Sequence, residues 1–323
     1  MKLLVMGGTL FLGRHIIEAA IQRGHQVTSF NRGLQNPTLF PEIEKLVGDR
    51  DKDLTALRGR RFDAVIDPSA YTPGQVDALL RTLDTPPDHY TFISSVSAYR
   101  TFPPGVCYTE DAARVEGDTG YGPLKARTED ALIAALPENR LAILRPGLIV
   151  GPHDPTDRFT YWVRRIDAGG RVLAPGRPDR PIQFIDARDL ADWALHLAES
   201  RIHGVYNAVG PQTLLTMGSF LQTCQATIGQ SVEFQWIPDQ ELIAAGAQPW
   251  TGLPLWLPEE DTDDGGLFLA DNQRAVRDGL RFRPIADTVA DTLAWARSAA
   301  SAPRSPLAVE TLTPEDERRL LLR

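Results

Sequence analysis

Lys2-Leu3-Leu4-Val5-Met6, followed at once by Gly7-Gly8-Thr9-Leu10-Phe11-Leu12-Gly13, decides the fold. The apolar run reads as a buried strand, and residues 12–23 as a helix ending at Gly24. A glycine-rich turn between the two lets backbone N–H groups and the helix N-terminus face a pyrophosphate. Glycines alone also serve a tight turn; the strand before them and the helix after them point to a dinucleotide site.

Working outward, residues 26–30, 45–47, 63–67, 89–94 and 141–145 read as further strands. Residues 121–136 read as a helix that stops before Pro137. Short connections between apolar runs and amphipathic stretches predict a parallel sheet with helices on both faces. After Pro146 the texture changes. Residues 146–183 are rich in Pro, Gly, Asp and Arg around one predicted helix, 158–168. Strands at 183–185 and 205–208 flank a helix at 187–199, and residues 236–266 read as irregular. A helix at 287–298 precedes a Ser/Pro/Ala linker at 300–307, and Thr313-Pro314-Glu315-Asp316 has the signature of a helix start. The expected division is a dinucleotide-binding unit of residues 1–150, to which 181–212 return, and a substrate lobe and tail within 151–323.

The bulk numbers narrow the function. At 323 residues, 42% apolar and 24% charged, the chain has the balance of a globular protein with ample core. A net charge of −8 speaks against a surface made to coat a nucleic acid. Cys107 and Cys224 show no metal-ligand spacing, so no metal site is expected and both thiols are expected reduced. The apolar run at 3–6 is too short for a signal peptide, and no stretch reaches the length of a membrane span, so a cytoplasmic protein is expected.

Two ends of a site can be read from residue chemistry. Ser29-Phe30-Asn31-Arg32 closes the second strand without the acid that would hydrogen-bond an NAD ribose. Arg32 would instead meet a 2′-phosphate, which favours NADP(H), with NAD(H) as the alternative cofactor; a solvated turn arginine is the plainer reading. Asp49, after the third strand, could accept from an adenine amine or simply serve a turn. At the other end, Tyr121 and Lys125 stand four residues apart, on one face of the predicted helix. With seven tyrosines and four lysines in the chain, about 0.09 such pairs are expected by chance.

These pieces together resemble the extended and atypical short-chain dehydrogenase/reductases, the NAD-dependent epimerase/dehydratase group. The resemblance is carried by Gly7 to Gly13, Gly48-Asp49, Ser94-Ser95-Val96-Ser97-Ala98-Tyr99, Tyr121 with Lys125, Arg145-Pro146-Gly147, Gly151-Pro152, Phe184-Ile185-Asp186 and Asp189-Leu190-Ala191. It implies a Rossmann-type, doubly wound α/β fold with a smaller, partly irregular C-terminal substrate lobe. It further implies that Tyr121 is the general acid/base, that Lys125 holds the nicotinamide ribose, and that Ser95, four residues before Tyr99, orients the substrate. By the same resemblance Gly7, Thr9, Leu10, Phe11, Leu12, Gly13, Asn31, Arg32 and Asp49 would contact cofactor. The nicotinamide pocket would draw on Pro68, Ser69, Ala70, Pro146, Gly147 and Ile149, and a homodimer is expected. Bringing a tyrosine from about 10 toward neutrality takes about 4 kcal/mol, which a neighbouring ammonium and the charge of an oxidised nicotinamide would supply.

Three departures shape the expected activity. Leu10 stands at the family's middle glycine, as in the atypical branch that includes chloroplast stem-loop RNA-binding proteins. Asn31-Arg32 replaces the usual acid, and Ile182 stands where nucleotide-sugar members carry an arginine, with Arg180 nearby. The leading expectation is an NAD(P)(H)-dependent oxidoreductase acting on a small carbonyl or alcohol. The alternatives are a nucleotide-sugar epimerase or dehydratase, and a non-catalytic NADP-sensing or RNA-binding member. The acidic run at Asp261 reads as a solvated loop, and Phe159, Tyr161 and Trp162 as aromatic packing.

Overall fold

The computed structural model describes residues 1–299 and 305–322; residues 300–304 of the linker lie outside them. The strands in chain order are β1 Lys2–Met6, β2 Gln26–Asn31, β3 Glu44–Val47, β4 Ala64–Asp67, β5 His89–Ile93, β6 Leu141–Pro146, β7 Ile149–Val150, β8 Gly170–Pro175, β9 Pro181–Ile182, β10 Ile185–Asp186, β11 Gly204–Ala208, β12 Leu215–Thr216 and β13 Val232–Ile237. The α-helices are α1 Phe11–Gln22, α2 Pro73–Thr82, α3 Tyr121–Ala135, α4 Thr160–Asp167, α5 Ala187–Ser200, α6 Met217–Ile228, α7 Asp239–Ala244, α8 Gln273–Arg277, α9 Ile285–Ser298 and α10 Pro314–Leu321.

Seven strands form one parallel sheet in the order β11-β6-β5-β4-β1-β2-β3. The strand order reverses between β1 and β4, which opens a crevice beyond their C-terminal ends, the place where such sheets bind ligands. Alternation along β1 explains the layers. Leu3 and Val5 face Ile16 and Ile17 of α1 and Leu190 and Leu197 of α5. Leu4 and Met6 face the opposite layer, with Val76 and Leu79 of α2 and Leu132 of α3.

A second core gathers Phe159, Trp162, Phe184, Phe220 and Trp256 around the parallel pair β8 and β13. Helix α10 adds Leu320 and Leu321 to it, and the Thr313 hydroxyl accepts from the Asp316 amide at its start. The sequence reading missed most of this lobe's regularity. Residues 146–183 hold β8 and β9 as well as α4, and 236–266 begin with the end of β13 and α7. These short elements are fixed by tertiary pairing rather than by their own periodicity. The strand expected at 183–185 is broken for a definable reason. Gln183 turns its amide to the backbone of Ala270, and the Phe184 amide bonds the Gly210 carbonyl. Among the described residues no helix is long and apolar enough to cross a membrane.

Candidate active site

The crevice is a cleft of about 660 Å³ running from the ends of β2 and β3 to the ends of β5 and β6. Its floor at the centre is the turn from β1 into α1. Gly7 and Gly8 have φ of +106° and +100°, backbone that side chains rarely adopt. Gly13 is required for a different reason: a Cβ there would meet the Gly8 amide nitrogen at 2.6 Å. Helix α1 starts without a side-chain cap and without an acid in its first turn, so its free N–H groups carry a partial positive charge toward the cleft. Thr9, Phe11 and Leu12 also line the cleft. Leu10 is extended at the helix cap and 44% exposed, a side chain in the cleft where the resemblance expected glycine. This turn suits a pyrophosphate held by backbone.

At the β2–β3 end, Asn31 is committed to the protein. Its amide donates to the Gly7 carbonyl at 2.9 Å and accepts from the Gly33 amide at 2.8 Å. Arg32 is exposed, lines the cleft and, among the described residues, makes no ion pair. Asp49 also lines the cleft, and its carboxylate caps its own turn by accepting from the Asp51 amide.

Arg50 and Asp67 form a pair that sequence reading missed. Both guanidinium N–H2 groups reach the Asp67 carboxylate at 2.9 Å, and Ser69 and Tyr90 also donate to it. Burial acts to raise the Asp67 carboxyl, but Arg50 and these hydrogen bonds outweigh it and hold it below its ordinary value. The pair fixes the turn Pro68-Ser69-Ala70; Pro68 and Ser69 line the cleft, while Ala70 is buried and offers its carbonyl inward.

That carbonyl holds Lys125. The Lys125 ammonium donates to the Ala70 and Ile93 carbonyls at 2.7 and 2.8 Å, is 2% exposed, and lies 4.8 Å from the ring centres of Tyr71 and Phe92. Burial pulls it down to about 8; the Arg50 charge acts the same way, and Asp67 and Glu129 oppose. Tyr121, one turn earlier, lies at the cleft with its ring 5.9 Å from that of Tyr71. As a residue it is 49% exposed, yet burial around its hydroxyl end pushes it up to about 12. Tyr71 adds to that rise and the Ser95 hydroxyl works against it. The Lys125 ammonium sits 5.8 Å from the Tyr121 ring centre and is spent on two carbonyls, so the expected lowering of Tyr121 would have to draw on the charge of an oxidised nicotinamide as well.

Ser94 and Ser95 have different employments. The Ser94 hydroxyl donates to Glu129 at 2.5 Å inside the core, whereas Ser95 caps a short helical turn and lines the cleft beside Tyr121. Pro146, Gly147 and Ile149 follow β6 and complete this end. The cleft thus joins a glycine turn suited to a pyrophosphate to a serine, a tyrosine and a lysine. The model of the NAD dependent epimerase/dehydratase family matches residues 3–208.

The chain belongs to that family.

As a member of the NAD dependent epimerase/dehydratase family, it is 26% identical over 269 residues to the chloroplast stem-loop binding protein of 41 kDa b of Arabidopsis thaliana. That match covers 75% of this chain and 65% of the relative, slightly under two thirds of its length. A putative epimerase from Burkholderia cenocepacia superposes with a TM-score of 0.70 at 21% identity, covering 92% of this chain and 98% of that one. The human epimerase family protein SDR39U1 with NADPH gives 0.63 at 20% identity, covering 91% and 99%. At these identities the likeness concerns the fold.

Helix α3 carries both Tyr121 and Lys125, and a buried ion pair holds it. Glu129 receives Arg145 through two hydrogen bonds of 3.0 and 2.6 Å, in addition to Ser94 and a longer contact from Arg114. Arg145 also bonds the Glu110 carbonyl and covers the Tyr99 ring at 4.7 Å. Arg180, nearest in sequence to the sugar-diphosphate arginine of nucleotide-sugar members, is buried against Asp239 and does not line the cleft.

Proposed function

We propose that this protein is an NAD(P)(H)-dependent oxidoreductase of the short-chain dehydrogenase/reductase type, with NADP(H) preferred, acting on a small carbonyl or alcohol. In this reading residues 1–150 with 181–212 hold the dinucleotide, and the rest of 151–323 mainly shapes the substrate side. The carrying observation is one cleft in which a half-exposed Tyr121 faces Ser95, above a buried Lys125.

The residues fit a dinucleotide. The Gly7–Gly13 turn and the α1 N-terminus would take the pyrophosphate, and Arg32, with no internal partner among the described residues, would take a 2′-phosphate. When bound, the nicotinamide supplies or accepts the hydride. The protein's part is proton transfer. A tyrosine near 12 is neutral at pH 7, so Tyr121 enters as a donor, the form needed to protonate the oxygen of a carbonyl being reduced. Ser95 would share that oxygen and orient it. Lys125, nearly all protonated at pH 7, would place a positive charge under the developing anion.

Arg180 in its internal pair supports this reading over a nucleotide-sugar epimerase: the arginines that line the cleft among the described residues, Arg32 and Arg50, stand at the β2–β3 end, away from Tyr121. Tyr121→Phe tests the proposal. It should bind NADPH as the wild type does while losing about 10²- to 10⁴-fold in turnover. Undiminished turnover would refute the assignment.

A further inference from the structure

The charge along the cleft is distributed unevenly. Arg32 follows β2, and Asp49, Arg50 and Asp51 follow β3, all at one end. At the β5–β6 end the described residues that line the cleft include a single charged side chain, Lys125, and it is buried and bonded to two carbonyls. What that end offers is uncharged: the hydroxyls of Ser95, Tyr121 and Tyr71 beside apolar groups such as Ile93, Pro146 and Ile149.

The same cleft also carries exposed apolar side chains. Leu10, Leu34, Tyr71, Tyr121 and Leu307 are all large, exposed and cleft-lining. An apolar side chain left in water inside a concave site gains by meeting a ligand. Leu307 is the most telling. It is 57% exposed and comes from the C-terminal segment, outside the matched family region. Its position is set two residues on, where the Val309 amide donates to the Thr156 carbonyl at 3.0 Å, and Pro155 and Thr156 line the cleft beside it. Farther along, α10 docks Glu317 onto Arg165 and the Leu173 amide, which anchors the segment to the second lobe.

We infer that the substrate is an uncharged carbonyl compound or alcohol with an apolar, preferably aromatic, body, and that Tyr71 and Leu307 determine this specificity. The inference rests on the proposed oxidoreductase reading for the identity of the reacting group. A phosphate or carboxylate on the substrate would lose its water at this end and find no free side-chain cation among the described residues. An aromatic body can instead pack on the Tyr71 ring and on the wall of Pro155 and Leu307.

The test uses a matched pair of probes, 4-methylbenzyl alcohol and 4-carboxybenzyl alcohol, binding to the full chain saturated with NADP+. Dissociation constants are read by ligand-observed NMR, and oxidation by absorbance of the reduced cofactor. The methyl compound should bind at least about tenfold more tightly, since the carboxylate would be left unpaired. Leu307→Arg, at an exposed position that does not threaten the fold, should cut the ratio below about threefold by supplying the missing cation. Leu307→Ala should weaken the methyl compound and leave the carboxylate where it was.

Equal or tighter binding of the carboxylate, binding of neither alcohol, or tighter binding of UDP-glucose than of either would overturn the inference. Selective binding of the methyl compound without any oxidation would support it while counting against the oxidoreductase reading.

Discussion

Replacing Lys125 with methionine removes an ammonium that the fold holds against a desolvation cost, and pH resolves that cost. In the unfolded chain the group titrates near its ordinary 10.5, and in the folded protein near 8. Below pH 8 both states keep the proton and folding bears the whole penalty. Between 8 and 10.5 only the unfolded state keeps it, so the contribution to stability rises with pH. Above 10.5 the penalty is gone, and the neutral amine still donates to Ala70 and Ile93.

The gap between 10.5 and 8 corresponds to about 3 kcal/mol, of which about 2–3 kcal/mol is recovered between pH 7 and pH 10. Urea unfolding of wild type and Lys125→Met, free of nucleotide, at pH 7 and pH 10 reads this directly. The other titrating groups are common to both proteins and cancel in the difference. Wild type should gain about 2–3 kcal/mol on the variant as the pH rises. Parallel pH profiles would refute the depressed lysine and the desolvation argument with it.

Arg32→Ala should weaken NADPH about 10- to 100-fold and leave NADH unchanged in fluorescence titrations, the loss of one charge-assisted contact; an unchanged preference would remove the NADP assignment. Arg145→Met leaves Glu129 buried with the Ser94 hydroxyl and, as its cation, the longer Arg114 contact, and should cost about 3–5 kcal/mol in urea unfolding. A loss under about 1 kcal/mol would mean that Arg114 replaces Arg145 fully. Gly13→Ala puts a Cβ 2.6 Å from the Gly8 nitrogen, so the turn must open; NADPH should bind about tenfold or more weakly, and unchanged binding would show that the turn does not need its present shape.

The dinucleotide half was legible because its elements obey local rules. The run from Lys2 to Gly13 contains a buried strand, a turn requiring glycine and a helix start, each visible within a few residues. Tyr121 and Lys125 were legible for the same reason, being one helical turn apart. Arg50 and Asp67 were not, although Asp67 ends a strand that the sequence predicts and Arg50 adjoins Asp49. Their pairing joins chain segments 17 residues apart across parallel strands, which no spacing rule encodes. Leu307 lay in a stretch whose Ser/Pro/Ala composition reads as linker, and the Val309 bond to Thr156, which helps place it on the cleft, joins segments that no local rule relates. What the Tyr121–Lys125 spacing did not carry is the lysine's own partners: spacing puts two side chains on one face without saying which groups their tips will choose, and the Lys125 tip chooses the Ala70 and Ile93 carbonyls.

The grip of Ser94 and Arg145 on Glu129 fastens α3, which carries the proposed proton donor Tyr121, to two neighbouring strands, while Pro155, Thr156 and Leu307 come from connections outside that grip. Tyr71 is not outside it, because Lys125 on α3 holds the carbonyl of the adjacent Ala70. In the proposed reading, substitutions at Pro155, Thr156 or Leu307 retune what the cleft accepts without displacing the Tyr121 hydroxyl, so a lineage can exchange substrates while its reaction stays the same.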